Sequence, residues 1–247
     1  MTRRRWIADT VSPEPGRPTH AALTGEQALH LARVLRAEPG QIFDVVAAGF
    51  LHRAEITAVT RERVDFLLLE ELESDSVLPL HLYLAIFKFD HFEWAIEKAT
   101  ELGAAEITPV LARRTEKHLA QAAVKRVERW RRIAHEASQQ SRRTVVPSIA
   151  DPTPLQLALE GERSPARILL SETEQTHTLF AALSVLQSPS DRVALAIGPE
   201  GGWTGEEMAL FTRHSWTHVT LGPRILRAET AAIAAVAIAG TFLERIS

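Results

Sequence analysis

Residues 193–203 read VALAIGPEGGW: a five-residue apolar run, Val193 to Ile197, passes directly into the glycine-rich turn Gly198 to Trp203. A short apolar run bounded by glycine and proline reads as a strand buried on both faces. Thr204 and Glu207 follow in capping-box spacing, which predicts a helix starting there. Strand, glycine loop and helix in succession form the repeating unit of a parallel α/β sheet, in which ligands bind beyond the carboxyl ends of the strands. Gly198, Gly201 and Gly202 permit positive φ and close backbone approach, so this loop suits wrapping a small ligand as well as simple turning. It is not a phosphate-binding P-loop, since no Lys-Ser or Lys-Thr follows, and its glycines lack the spacing of a dinucleotide fingerprint.

The same pattern recurs at LGPRILRAETAA, residues 221–232, where a strand over Val219 to Leu221 leaves through Gly222 into a loop that opens a helix over Thr230 to Leu243. That helix is apolar nearly all round, through Ala232, Ile233, Val236 and Ile238, which implies burial in the core or, as the preferred reading, in a subunit interface. Upstream, strands are predicted at Arg167 to Leu170, Ile107 to Leu111 and Leu80 to Phe87, the last from Leu80, Leu82, Leu84 and Ile86 at every second position. Between them lies a helix with Asp90 and Glu93 as cap and third position, Phe92, Ile96, Ala99 and Leu102 on one face, and Gly103 as its left-handed stop. A long helix carries Val124, Val127, Trp130, Ala134 and Ala137 at helical spacing. The acidic, proline-closed segment Glu70 to Pro79 reads as a domain boundary, dividing the chain into residues 1–73 and 74–247. The first part reads as a small β-rich unit, with strands at Gln41 to Val46, Phe50 to Ile56 and Val64 to Leu69. Ahead of them a helix is opened by Thr24 and Gln27 and ends before Pro39.

Composition narrows the function. The chain has 247 residues, no cysteine and a net charge of −3. Without cysteine there is neither a disulfide framework nor a thiolate metal site, which suits a reducing cytoplasm. The basic terminus Met1 to Trp6 precedes no signal-peptide core, and the apolar run Ala231 to Gly240 is about half of the roughly 20 residues needed to span a membrane. The ten histidines form no metal-ligand pattern, since His135 and Glu136 begin HEAS and lack the second histidine of a zinc protease motif, so no metal is expected. No Gly-x-Ser-x-Gly elbow supports a hydrolase. Charge is uneven: residues 113–143 hold ten Lys and Arg against three Glu, a local +7 that leaves −10 elsewhere. Such a stretch is either a solvated helix face or a phosphate-facing patch.

Five blocks in order, HLARVLR (30–36), EKATELG (97–103), RWRRIAHEASQQSRR (129–143) with Pro147, AIGPEGG (196–202) and LGPRILRAETA (221–231), cover the chain almost end to end. In these the sequence resembles the RsmE family of ribosomal RNA uridine N3-methyltransferases, of the SPOUT superfamily. The resemblance implies an amino-terminal PUA-like RNA-binding β-barrel, a carboxyl-terminal α/β domain with a mostly parallel sheet and a deep trefoil knot, and a homodimer. It implies S-adenosyl-L-methionine as cofactor, held by Leu170, Ser171 and Glu172, by Ile197, Gly198, Pro199, Glu200, Gly201 and Gly202, and by Leu221, Gly222, Arg224, Ile225, Leu226, Arg227, Thr230 and Ala231. The implied partner is 16S ribosomal RNA or the small ribosomal subunit, methylated at N3 of a uridine in the decoding region. Two departures from the family pattern are Phe89, where a glycine is usual between Lys88 and Asp90, and Arg113-Arg114-Thr115, where Glu-Arg-Ser is usual.

N3 of uridine carries a proton, so a nucleophile requires an anion that something must stabilise. Arg227 is the first candidate and Arg5 the second, with Glu229 or Glu200 to take the proton; each glutamate equally suits a structural role, as helix cap or loop brace. RNA phosphates would be met by Arg5, Arg33, Arg36, Lys98, Arg113, Arg114, Arg142 and Arg143. Trp6 and Trp203 suit packing better than base stacking. The rival readings are a non-catalytic RNA-binding assembly factor, which predicts degraded loops at 198–202 and 224–230, and a SPOUT enzyme acting on another RNA.

Overall fold

The computed structural model of the protein describes residues 5–14, 17–73, 77–186, 188 and 191–246. Met1 to Arg4 of the basic terminus and residues 74–76 of the acidic boundary segment lie outside the described residues. The chain divides into two compact units, Met1–Ser76 with Ser138–Val145, and Val77–Ala137 with Val146–Ser247.

The first unit is a six-stranded sheet. In chain order its strands are β1 (Trp6–Ile7), β2 (Thr10–Glu14) and β3 (Arg17–Thr24), then, after helix α1 (Gly25–Leu29) and a π-helical turn His30–Val34, β4 (Ile42–Ala47), β5 (Phe50–Val59) and β6 (Arg63–Leu72). They lie in the order β1-β4-β5-β6-β3-β2. One stretch of chain serves both edges: β1 pairs with β4, β2 pairs with β3, and between them Ala8 donates to the Val46 carbonyl at 2.8 Å and Asp9 to that of Ala22 at 2.9 Å. That stretch thus runs from one end of the strand order to the other, with β1 and β2 as the edge strands. Val64, Phe66 and Leu68 of β6 alternate inward to meet Leu23, Leu31, Val45 and Ile56, the arrangement that period-two patterning requires.

The three predicted strands are present, β5 and β6 longer than expected, and the Gly49 turn is a tight hairpin with positive φ at Ala48 (51°) and Gly49 (85°). β1 to β3 were not legible in sequence because prolines interrupt 13–18; proline is tolerated in β2 because it is an edge strand. The capping box expected at Thr24 does not form. The Thr24 hydroxyl instead donates to Asp9 at 3.1 Å, and the Gln27 amide oxygen accepts from Gln139 at 2.7 Å.

The second unit alternates strands and helices: β7 (Leu80–Ala85), α2 (Phe89–Glu101), β8 (Glu106–Leu111), α3 (Lys117–Ala123), α4 (Val127–Gln140), β9 (Ser148–Ile149), β10 (Thr153–Pro154), α5 (Leu155–Gly161), β11 (Ala166–Leu170), α6 (Leu179–Leu183), β12 (Val193–Ile197), α7 (Gly205–Arg213), β13 (Thr217–Val219) and α8 (Ala228–Ile246). All pairings are parallel, in the order β10-β8-β7-β12-β11-β13 with β9 beside β8. Helices cover both faces. Leu80, Leu82, Leu84 and Ile86 pack with Phe92, Ile96, Trp130 and Val236 on one side, while Tyr83, Leu169 and Ala196 pack with Leu159, Phe211 and Trp216 on the other. The alternation along β7 therefore marks one of two buried faces.

Gly103 ends α2 at φ +102°, with Ala104 donating to the Ala99 carbonyl at 3.0 Å and Gly103 to that of Thr100 at 3.1 Å, a Schellman closure. The start of α2 differs from expectation: Lys88 is the cap, and Glu93 faces Arg126 and Arg129 at 2.9 Å instead of reaching back along its own helix. The long helix is broken at Val124–Arg126 by one 3₁₀ turn, which leaves Val124 exposed.

At the amino ends of β7 and β8 lies a buried polar cluster. Glu162 accepts from the Tyr83 hydroxyl at 2.8 Å, faces His81 Nδ1 at 3.0 Å and receives the backbone N–H groups of Arg163 and Ser164. Burial opposes its charge, but the hydrogen bonds from His81, Ser164 and Tyr83 outweigh it and hold the carboxyl far below the ordinary 4.5. Because the folded pKa is the lower one, the stabilisation is complete above pH 4.5 and is lost as the pH falls. Glu162→Ala is expected to cost about 3 kcal/mol at neutral pH, read from urea unfolding, and to flatten the acid limb of the stability curve.

Candidate functional site

β12, β11 and β13 are adjacent and parallel, so the three loops leaving their carboxyl ends begin side by side. These are the loops at Leu170–Glu172, Ile197–Gly202 and Leu221–Arg227.

The central loop folds as the glycines dictate. Gly202 lies at φ +69° and donates to the Pro199 carbonyl at 2.8 Å, closing a turn. A Cβ at Gly198 would stand 3.0 Å from the Trp203 indole nitrogen, so a larger residue there would have to push that ring aside by a few tenths of an ångström. The capping box that follows is complete: Thr204 and Glu207 bond reciprocally and start α7. Trp203 packs edge-on against Phe211 and belongs to the core, not to a stacking platform. Glu200 is half-exposed, 4.0 Å from Lys88.

In the third loop β13 ends at Val219, two residues before expectation, because Thr220 pairs instead with the segment before α6: it donates to the His177 carbonyl at 2.9 Å and accepts from Leu179 at 3.1 Å. Its hydroxyl bonds both backbone groups of Gly222 at 3.1 Å, pinning that glycine at φ +111°. Beyond it Ile225 is held 85% exposed, an apolar side chain kept in the open. In the first loop the Ser171 N–H donates to Val219 at 2.9 Å and its hydroxyl meets Thr173 at 2.9 Å. Glu174, unforeseen in the sequence, gathers the N–H groups of His177, Thr176 and Gln175 at 2.8 to 3.0 Å. Those bonds, His177 first, hold its carboxyl down at about 2. The run SETEQTH carries the signal for such a side-chain-capped turn.

Arg227 is exposed immediately before α8, its carbonyl taking the first helical bond from Ala231 at 2.8 Å, and it has no ion pair among the described residues. A cation at the positive end of a helix opposes the macrodipole, which suits a group kept for a ligand better than one kept for stability. Glu229, two residues on, is buried and bonded to His91 Nδ1 at 3.0 Å, the placement of a helix-start brace between α8 and α2.

The candidate RNA cations separate into groups. Arg33, Arg36 and Arg142 are exposed, and Arg36 and Arg142 have positive φ. Arg5 donates to the Arg142 carbonyl. Arg143 is half-buried, and desolvation lowers it to about 10, still a cation at neutral pH. Lys98 is neutralised by Glu97 at 2.7 Å and Glu101 at 2.8 Å. The Arg114 guanidinium donates to the glycine loop, whereas Arg113 bonds to α7 through its backbone N–H and keeps an exposed side chain 3.9 Å from Glu206. The other departure, Phe89, is absorbed by packing, its ring 6.0 Å from Trp130 with the Arg126 guanidinium 4.7 Å above it.

The three loops fit an adenosyl cofactor: glycines admit close main-chain approach, and Ile225 offers an apolar surface in the open. No described helix is long and apolar enough to cross a membrane. Residues 74–240 match the family model described as RNA methyltransferase domain, and residues 23–69 match that of the RNA methyltransferase PUA domain. The chain is 33% identical to ribosomal RNA small subunit methyltransferase E of Bacillus subtilis, covering 87% of each chain. It is 34% identical to the protein of that name from Synechocystis, over 95% of this chain and 77% of the other. The crystal structure of the Neisseria gonorrhoeae methyltransferase E bound to S-adenosylmethionine superposes with a TM-score of 0.82 at 29% identity, covering 96% and 97%. A Legionella pneumophila methyltransferase solved with bound SAM also superposes at 0.82, with 28% identity and 98% of each chain. With an RNA methyltransferase domain over most of its length and relatives of one kind across the remainder, the chain belongs to the ribosomal RNA small subunit methyltransferase E family.

Proposed function

We propose that this protein is an S-adenosylmethionine-dependent methyltransferase that modifies N3 of a uridine in the decoding region of 16S ribosomal RNA. The observation that carries it is the convergence of three loops, two of them pinned by positive-φ glycines, at the carboxyl ends of adjacent parallel strands. Family membership supports the reaction class, and the intact loops at 198–202 and 224–230 favour an enzyme over a binding factor.

When bound, the cofactor supplies a sulfonium-activated methyl group. The chain supplies alignment and charge. Backbone groups of 197–202 and 221–226 fix the donor's position, so that attack by N3 is nearly linear. Arg227 spreads positive charge over the uracil oxygens as N3 loses its proton, lowering the cost of the anion. Glu200 is the carboxylate with solvent access to accept that proton, whereas Glu229 is occupied by His91. N3 gains the methyl, the carbon–sulfur bond breaks, and the proton passes to solvent.

The same reading makes residues 1–73 an RNA-binding barrel, with Arg33 and Arg36, joined by Arg142 of the 138–145 segment that packs with it, toward phosphates, and residues 74–247 a knotted catalytic domain acting in the cytoplasm where ribosomes are assembled. It also makes the protein a homodimer. α8 buries Ala232, Ala235, Val236, Ala239 and Leu243 within its own chain, yet leaves Ile233, Ala234 and Ala237 half-open and Ile238 38% exposed at helical spacing, a face that a second copy would cover. Sedimentation should give a dimer for the natural protein and a monomer for Ile238→Glu.

The function is tested by mass mapping of 16S ribosomal RNA from a strain lacking the gene. Loss of one methyl from a decoding-region uridine is expected, restored by the natural gene; an unchanged pattern would remove the substrate assignment.

A further inference from the structure

We propose that Arg114 is a positioning residue for the cofactor loop and not a phosphate contact, and that Ala112–Thr115 clamps the glycine turn in its binding shape. The proposal rests on the assignment of that turn to the cofactor.

In sequence, Arg113 and Arg114 open the local +7 stretch and look like RNA-facing cations. In the structure the Arg114 guanidinium bonds to the chain itself, while Arg113 is tied down only through its main chain and its side chain stays exposed. The Arg114 guanidinium donates to the Gly201 carbonyl through Nη1, and its aliphatic stem lies along the same glycine, so that a Cβ at 201 would stand 3.3 Å from Arg114 Cδ and 3.7 Å from its Cβ. The backbone N–H of Arg113 donates to Glu207 Oε1 at 2.7 Å. The other oxygen of that buried carboxylate is taken by the N–H and hydroxyl of Thr204, at 2.8 and 2.9 Å. Thr115 closes the segment on its third side, its hydroxyl donating to the Ile86 carbonyl at 3.0 Å. The chain after β8 is thus fastened to the end of β7, to the cap of α7 and to the middle of the glycine turn. The turn itself has one internal hydrogen bond, Gly202 to Pro199, and a glycine-rich segment so lightly tied has many conformations to lose on binding. A charged donor on Gly201 removes part of that freedom before the cofactor arrives. Between the clamp and the turn lies a cavity of about 130 Å³ bordered by Lys88, Arg114, Glu116, Pro199 and Glu200.

The test measures two affinities on the full-length protein. Calorimetry with S-adenosylmethionine is expected to show Arg114→Ala binding about ten- to a hundredfold more weakly, the usual worth of a charge-assisted bond. The salt dependence of RNA binding should not change, because no phosphate contact has been lost. Gly201→Ala, which pushes the stem aside without touching the charge, should weaken the cofactor similarly, and the double variant should be no worse than either single one. Arg114→Lys should recover part of the affinity. Unchanged cofactor affinity with a shallower salt slope for RNA would overturn the proposal and make Arg114 a phosphate ligand. Gly222→Val, on a different loop, separates the two claims. If it weakens cofactor binding while Arg114→Ala and Gly201→Ala do not, the clamp fails alone; if all three bind normally, the cofactor assignment fails with it. Thermal unfolding of each variant identifies any that lose affinity only because they do not fold, and for those Arg114→Lys carries the comparison.

Discussion

Arg227→Ala is expected to lower kcat by roughly 10²- to 10³-fold while leaving the dissociation constant for S-adenosylmethionine within about twofold. The split follows from where the charge sits. Arg227 closes the third loop and precedes the first turn of α8, so its main chain borders the proposed cofactor site while its guanidinium is exposed and unpaired among the described residues. Truncation to alanine keeps the main chain, which accepts from Ala231 at 2.8 Å, and removes only the charge. A group that acts on the anion formed during reaction contributes to the transition state more than to either ground state. The loss should shrink as pH rises, because N3 then ionises without assistance, and Arg227→Lys should retain part of the rate. Single-turnover methyl transfer, with calorimetry on the same preparations, reads both quantities. A variant that methylates at the normal rate would end the anion-stabilising role.

Gly222→Val is expected to weaken cofactor binding by roughly 5- to 150-fold while the protein stays folded. At φ +111° the backbone is in a region that side-chain-bearing residues rarely enter, and β-branching makes entry harder still. Space is not the obstacle, since a Cβ there would meet nothing within 4 Å, so the whole penalty of about 1 to 3 kcal/mol falls on the loop conformation. The cheapest relief is for residues 221–226 to leave the shape that Thr220 imposes through its two hydrogen bonds to this glycine. A loop on the surface can relax in that way without disturbing the core, so the melting temperature should move little while the calorimetric dissociation constant rises. Retained affinity would mean that this bend is not part of the site.

The features legible in sequence are those whose physics is local. β12 and its glycine turn, the Thr204 and Glu207 capping box and the Gly103 stop each depend on residues within one turn of each other, and all three form. Elsewhere partners distant along the chain changed the outcome. Asp9 and Gln139 capture the side chains that would have capped α1 at Thr24 and Gln27, and Arg126 and Arg129 draw Glu93 away from the start of α2. β2 escaped notice because proline argues against a strand unless the strand is known to lie at an edge.

Site residues follow the same division. The loops after β12 and β13 could be picked out from their glycines, and the loop at 170–172 only from the family resemblance, whereas the duties of charged side chains could not be read at all. Lys98 and Arg114 read equally as free cations, yet one is held by Glu97 and Glu101 and the other by a carbonyl 87 residues away. Glu229 suited both proton acceptor and brace until His91 was found beside it. Spacing along a chain reports which residues can share a helix face, and it carries no record of a contact made across a sheet.

The central claim is that one adenosyl ligand touches the backbone bends after β12 and after β13 together. A crystal of the natural protein grown with S-adenosylmethionine tests it most directly. Density in contact with main-chain atoms of both 197–202 and 221–226, with the methyl group on the side of Arg227, is the expected result; ligand bound elsewhere, with both bends untouched, would contradict it.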